Sequence, residues 1–100
     1  MNSEPLSNDQ VEKALLLMSG WELDEEDNKL RCELEFPDFR AAMAFLTRFA
    51  FECEDLDHHA EIFNVYSTIR LALTTHDAGD KITEKDLHLA RRVCELISAG

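Results

Sequence analysis

The stretch Ile62-Phe63-Asn64-Val65-Tyr66-Ser67-Thr68-Ile69-Arg70-Leu71-Ala72-Leu73-Thr74 decides the fold. Ile62 to Tyr66 is aromatic and β-branched, and Ile69, Leu71 and Leu73 then alternate with Arg70, Ala72 and Thr74, the period of a strand with one buried face. Two strands joined near Ser67 are expected. Working outward, an earlier segment has the same character. Trp21-Glu22-Leu23 alternates, residues 24–28 are polar enough to turn, and Leu30, Cys32, Leu34 and Phe36 alternate with Arg31, Glu33 and Glu35, which predicts a hairpin. Between and around these pairs the apolar period changes to that of a helix. Ser7-Asn8-Asp9-Gln10 reads as a capping box before Val11, Ala14, Leu15, Leu17 and Met18, with Gly20 placed to stop the helix. Pro37 and Asp38 suit a helix start, and Phe39, Ala42, Met43, Leu46, Phe49, Ala50 and Cys53 form an apolar stripe. Thr83-Glu84-Lys85-Asp86 is a second capping box, before Leu87, Leu89, Ala90, Val93, Leu96 and Ile97. The order α-β-β-α-β-β-α contains hairpin pairs rather than βαβ crossovers. It predicts an α+β fold, a four-stranded antiparallel sheet with helices packed on one face.

The chain has 100 residues, 45% of them hydrophobic, which suits a single domain over 1–100 with one core. The longest apolar run, Ala14 to Met18, is too short to span a bilayer, and nothing at the N-terminus reads as an export signal. Cys32, Cys53 and Cys94 are an odd number at unpatterned spacings, so neither a disulfide framework nor a CxxC clamp is expected, and a reducing cytoplasm is the default location. They read as small buried hydrophobes without a basic neighbour to activate them. Ten basic against twenty-one acidic side chains give a net charge of −11, which argues against direct binding to nucleic acid or an anionic membrane and is otherwise a solubility feature.

Chemistry concentrates in Glu54-Asp55-Leu56-Asp57-His58-His59-Ala60-Glu61, where four carboxylates and two histidines share eight residues after the second predicted helix. His76 follows the fourth predicted strand. Both are element ends, where reactive groups are often presented. In an extended chain His58 and His59 point to opposite sides, so they cannot do the same job from the same direction. Imidazole both takes and gives protons near neutral pH, and the neighbouring carboxylates could fix a tautomer. A polar loop of no special chemistry is the plain alternative. A metal site is a weaker one, because the spacing is neither i,i+4 on a helix nor i,i+2 on a strand and no HExxH occurs. Asp86 stands at N3 of the last helix, where capping competes with function. Trp21 begins a strand, where core packing competes with ligand stacking. His88, between Leu87 and Leu89, reads as a surface residue. Phe39, Phe45, Phe49 and Phe51 read mostly as core, with some apolar surface left for a subunit contact.

Taken in order, GWEL from Gly20, LRCELEFPDFRAAMAFL from Leu30, EDLDHHAEIFNVYSTIRLALTTHDAG from Glu54 and TEKDLHLA from Thr83 resemble the pterin-4a-carbinolamine dehydratase family, from Gly20 to Ile97. The most specific part is Glu54 followed after three residues by His58-His59, then an aromatic strand, then Thr75-His76, then Asp86 at the start of the last helix. The resemblance implies dehydration of 4a-hydroxytetrahydropterin to quinonoid dihydropterin without a metal or redox cofactor, in support of aromatic amino acid hydroxylases. It implies a site of His58, His59, His76 and Asp86, with Glu54 and Trp21 binding or orienting the pterin. His58 and His76 are expected as the chief acid/base pair, His59 as binder or second base, Glu54 as orienter of a histidine, and Asp86 as support for His76 or the pocket edge. Self-association as a homodimer or homotetramer through sheet edge and helices is also implied. The same fold serves as a dimerisation cofactor for a homeodomain transcription factor, so a non-catalytic protein-binding module is the alternative. A metal-dependent hydrolase is a third reading. Two departures from the family pattern stand out: Ala60 where the family has proline after the paired histidines, and Asp80-Lys81 after Gly79 where it has Gly-Gly.

Overall fold

The computed structural model describes residues 4–99. The elements run α1 (Asn8–Leu15), β1 (Trp21–Asp24), β2 (Lys29–Glu35), α2 (Phe39–Asp55), β3 (Glu61–Val65), β4 (Thr68–Leu73), a 3-10 turn (His76–Ala78) and α3 (Glu84–Ala99). The strands form one four-stranded sheet in the order β1-β2-β4-β3, with every neighbouring pair antiparallel. This is the α+β architecture expected from the strand periods. The two hairpins are laid side by side through β2 and β4, so β1 and β3 are the edges.

Register explains which face is buried. Trp21 pairs with Cys32, Cys32 with Leu71, and Leu71 with Ile62, while Leu23, Leu30 and Leu73 form the next row on the same face. Against this face pack Ala42, Phe45, Phe49 and Cys53 of α2 and Leu87, Leu89, Ala90 and Val93 of α3, all buried in one cluster. Phe36, Phe45 and Phe49 are in ring contact, with centroids 5.3 and 5.8 Å apart along the series. The opposite face carries charge: Arg70 bonds Glu33 at 2.6 Å and lies over the Phe63 ring, and Lys29 reaches across β4 to Glu61 at 2.8 Å. Opposite charges on adjacent strands stabilise the pairing only modestly at such exposure, so the sheet is held mainly by its apolar side.

The turns use local chemistry. In the first hairpin Asp24 Oδ1 accepts from the Asp27 N–H, and Arg31 Nε donates to Asp24 Oδ2 at 2.8 Å, which holds the Asp24 carboxyl below its usual range. In the second, Tyr66 has φ 50°, and Asn64 Nδ2 donates to the carbonyls of Tyr66 and Thr68, tying down the bend.

Three expectations are corrected. α1 ends at Leu15 rather than near Gly20, because the N–H groups of Leu16, Leu17 and Met18 turn to carbonyls three residues back and tighten the chain. Leu17 consequently points outward at 91% exposure, while Met18 returns to the core and Gly20, φ 89°, swings the chain into β1. Of the α2 phenylalanines only Phe45 and Phe49 are buried; Phe39 and Phe51 are exposed because the helix face toward the core is narrower than its apolar stripe. His88 is half-buried rather than a surface residue, since α3 sinks both Leu87 and Leu89 beside it.

Candidate active site

The site begins where α2 ends. Leu56 caps the helix, and Asp57 takes φ 50°, a left-handed turn that an aspartate tolerates. The His58 N–H then returns to the Cys53 carbonyl at 2.9 Å. This hooked exit separates the paired histidines: His58 is buried, whereas His59 lies exposed with its Nε2 3.0 Å from Glu54 Oε1. Ala60 follows, half-buried against the core, and its N–H faces the Cys53 sulfur. Burial pushes the Cys53 thiol up, with that N–H opposing it. A proline at this position would have no such donor.

β4 delivers the second part. Thr74 and Thr75 are buried at its end, and the chain then enters the 3-10 turn at His76. Gly79 at φ 75° and Asp80 at φ 59° reverse it, and Thr75 bridges to Lys81. The reversal brings Asp80 Oδ1 to 2.5 Å from His76 Nδ1, so the departure from Gly-Gly supplies His76 with a carboxylate of its own.

The third part is the first turn of α3. Asp86 has no solvent exposure, and its Oδ1 lies 2.6 Å from His58 Nε2. Its Oδ2 accepts from the Thr75 hydroxyl at 2.7 Å and from the Thr83 N–H at 2.9 Å, the latter closing half of the expected capping box. Asp86 therefore bonds His58, where the expectation was support for His76 or for the pocket edge. The physical reason is that an N3 carboxylate reaching back to its N-cap points into the gap between β4 and the α2 exit, whereas His76 has already turned outward. With donors occupying Oδ2, Oδ1 is left to accept from an Nε2–H of His58, which leaves Nδ1 as the basic nitrogen of the neutral ring.

These parts wall a cleft of about 240 Å³ lined by His58, His59, Ala60, Thr74, His76 and Lys85, among others. Thr74 Oγ1 is the one buried side-chain oxygen or nitrogen among the described residues without a hydrogen-bond partner, and it belongs to this cleft. A buried hydroxyl left in this way is costly, and a hydrogen bond to water or to a ligand in the cleft relieves that cost. Glu54 touches the site through His59. Trp21 does not line the cleft: it is buried on β1, and with β2 and β4 intervening it stands about 14 Å from β3, three strand spacings away. Its indole N–H meets the Cys94 sulfur instead. Thr74, Thr75, Thr83 and Asp80 are the site residues that periodicity did not bring forward; the capping box at Thr83 and the threonines beside His76 were the available signals. Among the described residues no group of three or more His, Cys, Asp or Glu side chains is gathered to hold a metal, and no helix is long and apolar enough to cross a membrane.

Fold and cleft together define the class: an α+β protein with an imidazole-lined cleft where the end of its sheet meets the exit of one helix and the entry of another. The chain belongs to the pterin-4a-carbinolamine dehydratase family, whose model, described as Pterin 4 alpha carbinolamine dehydratase, matches residues 4–96. Relatives named "Putative pterin-4-alpha-carbinolamine dehydratase" include one from Opitutus terrae, 42% identical over 87% of this chain and 88% of its own length. Another, from Streptomyces coelicolor, is 42% identical over 100% of this chain and 96% of its own length. A crystal structure of a transcriptional coactivator/pterin dehydratase from Brucella melitensis superposes with a TM-score of 0.88 at 30% identity, covering 93% of this chain and 98% of that one. At the level of the family this is a pterin-4a-carbinolamine dehydratase.

Proposed function

We propose that this chain dehydrates 4a-hydroxytetrahydropterin to quinonoid dihydropterin by histidine acid/base catalysis in the cleft. The observation that carries the reading is the buried His58–Asp86 pair at the cleft wall, in a member of this family. The reaction breaks the C4a–O bond and removes a proton from a ring nitrogen; the electron pair of that N–H becomes the new double bond, and water leaves without change of oxidation state. One group must give a proton to the departing hydroxyl and another must take one from the ring. His58, with Nε2–H held by Asp86, offers Nδ1 as the base. His76, partnered by Asp80 and also lining the cleft, protonates the leaving oxygen. His59, oriented by Glu54, binds the ring, and the Thr74 hydroxyl supplies a fixed hydrogen bond. Placing both proton-transfer groups around one bound ring removes the need for a bimolecular encounter with a buffer molecule. The product, once reduced by a separate two-electron reductase, would be reused by an aromatic amino acid hydroxylase.

Stopped-flow decay of the carbinolamine tests this. His58→Ala is expected to slow turnover by about 10²–10⁴-fold, the usual contribution of a positioned general base, and His76→Ala and His59→Ala by smaller factors. Rates near that of the parent for all three variants would overturn the reading. A second role as a protein-binding module is favoured by one observation, the exposed apolar side chains of Ile62, Phe63, Val65 and Tyr66 along the edge strand β3. Such an edge also suits self-association into a dimer or tetramer.

A further inference from the structure

We infer that Thr83 is a positioning residue for the reaction: its hydroxyl, acting through Thr75 and Asp86, holds His58 in one tautomer and orientation. The inference rests on the proposed function and goes beyond it by assigning work to a residue that touches neither the cleft nor a histidine.

Proton counting gives the direction of the network. Asp86, as a carboxylate, only accepts. The Thr75 hydroxyl has a single hydrogen and gives it to Asp86 Oδ2 at 2.7 Å. In the 2.8 Å contact between Thr75 Oγ1 and Thr83 Oγ1, Thr75 must therefore accept and Thr83 must donate. The lone pairs of Thr83 Oγ1 remain free to accept, and they take the Lys85 N–H at 3.2 Å. A one-way relay thus runs from the Lys85 N–H through the Thr83 and Thr75 hydroxyls to Asp86. Thr83 adds a second, direct link through its own N–H to Oδ2 at 2.9 Å.

Burial gives the relay its weight. Thr83 and Asp86 are fully buried and Thr75 nearly so, so water cannot replace a missing donor without opening the core. Hydrogen bonds in such a chain polarise one another and each is expensive to leave unmade. With Oδ2 saturated, Oδ1 faces His58 alone, and the imidazole has one favourable arrangement. Removing the Thr83 hydroxyl frees the Thr75 acceptor and lets the Thr75 hydroxyl rotate, so Oδ2 keeps only the Thr83 N–H as a fixed donor and the carboxylate that receives the His58 Nε2–H loses its single orientation. The N-cap of α3 is thereby also the anchor of the proposed base.

The test compares Thr83→Val, which keeps shape and loses the hydroxyl, with Thr83→Ser, which keeps the hydroxyl. Carbinolamine decay and the ¹⁵N spectrum of the His58 imidazole are recorded for both. Thr83→Val is expected to lower kcat about tenfold with KM little changed, as for a positional effect expressed in the transition state, and Thr83→Ser to restore it. The His58 ¹⁵N signals should pass from a single Nε2–H tautomer to a mixture in Thr83→Val only. Wild-type kcat and an unchanged ¹⁵N pattern in a folded Thr83→Val protein would reduce Thr83 to a helix cap and overturn the inference. Should Thr83→Val fail to fold, Thr75→Val interrupts the same relay from the strand side, and the same ¹⁵N shift is required of it. Full activity in His58→Ala would overturn the proposed function instead, while the ¹⁵N comparison would still decide the role of Thr83.

Discussion

His58 and His59 are adjacent in the chain, yet one faces a buried aspartate and the other an exposed glutamate. Strand geometry suggested such a divergence, but the left-handed turn at Asp57 produces it, and the partners were not legible because Asp86 lies 28 positions away and only the docking of α3 brings it near. Cys32 and Cys53 illustrate the reverse case, buried as their composition suggested, while Cys94 is only partly buried. Burial pushes the Cys32 thiol up to about 12 from an ordinary 9.0, with Cys94 adding to the shift. The folded state therefore keeps a proton that the unfolded chain loses first, so above pH 9 the unfolded state binds fewer protons and stability falls as pH rises toward 12. Urea unfolding between pH 8 and pH 11 should show a shallower alkaline decline for Cys32→Ala than for the parent, by up to roughly 1.4 kcal/mol per pH unit. Parallel curves would contradict the buried thiol.

Elements follow local rules until packing intervenes. The capping box at α1 forms in full between Ser7 and Gln10, whereas at α3 only the half from the Thr83 N–H to Asp86 forms and the Thr83 hydroxyl takes the Lys85 N–H. Asp38 caps α2 in the same manner, accepting from the Ala41 N–H at 2.8 Å. Asp38→Ala leaves that N–H without its partner and is expected to lower stability by about 1 kcal/mol, read as a drop in thermal midpoint with carbinolamine turnover unaffected, since the cap stands at the far end of α2 from the cleft. An unchanged midpoint would mean that water replaces the cap. The end of α1 is not visible in the sequence because apolar spacing continues through Leu17 and Met18, and periodicity alone cannot tell a continuing helix from a tightening turn whose alternate residues return to the core. For α3 the capping box was visible, but its second use was not, since a carboxylate at N3 looks the same whether or not a histidine waits beyond it.

At the scale of the whole molecule, the sheet has one covered face, one charged face and two edges. β3 is the exposed edge, with Val65 at 57% and Tyr66 at 64% exposure beside Ile62 and Phe63. An unpaired strand with such a surface is a template for another strand, which natural proteins otherwise blunt with charge. Light scattering after gel filtration should give a mass of at least a dimer, and Val65→Lys should return the protein toward a monomer; a monomeric parent protein would remove sheet-edge association from the proposal. Element order, the antiparallel class and the residues of the imidazole cluster are readable along the chain, because strand and helix periods, caps and motif spacing are short-range properties. Only tertiary structure decided that Asp86 pairs with His58, that Asp80 turns back to His76, that Thr75 and Thr83 complete a relay, and that Trp21 lies on the far edge from the cleft. Those outcomes depend on strand order and helix docking, which place residues by the cost of leaving buried polar groups unpaired and apolar faces uncovered, and neither cost is visible to a residue's sequence neighbours.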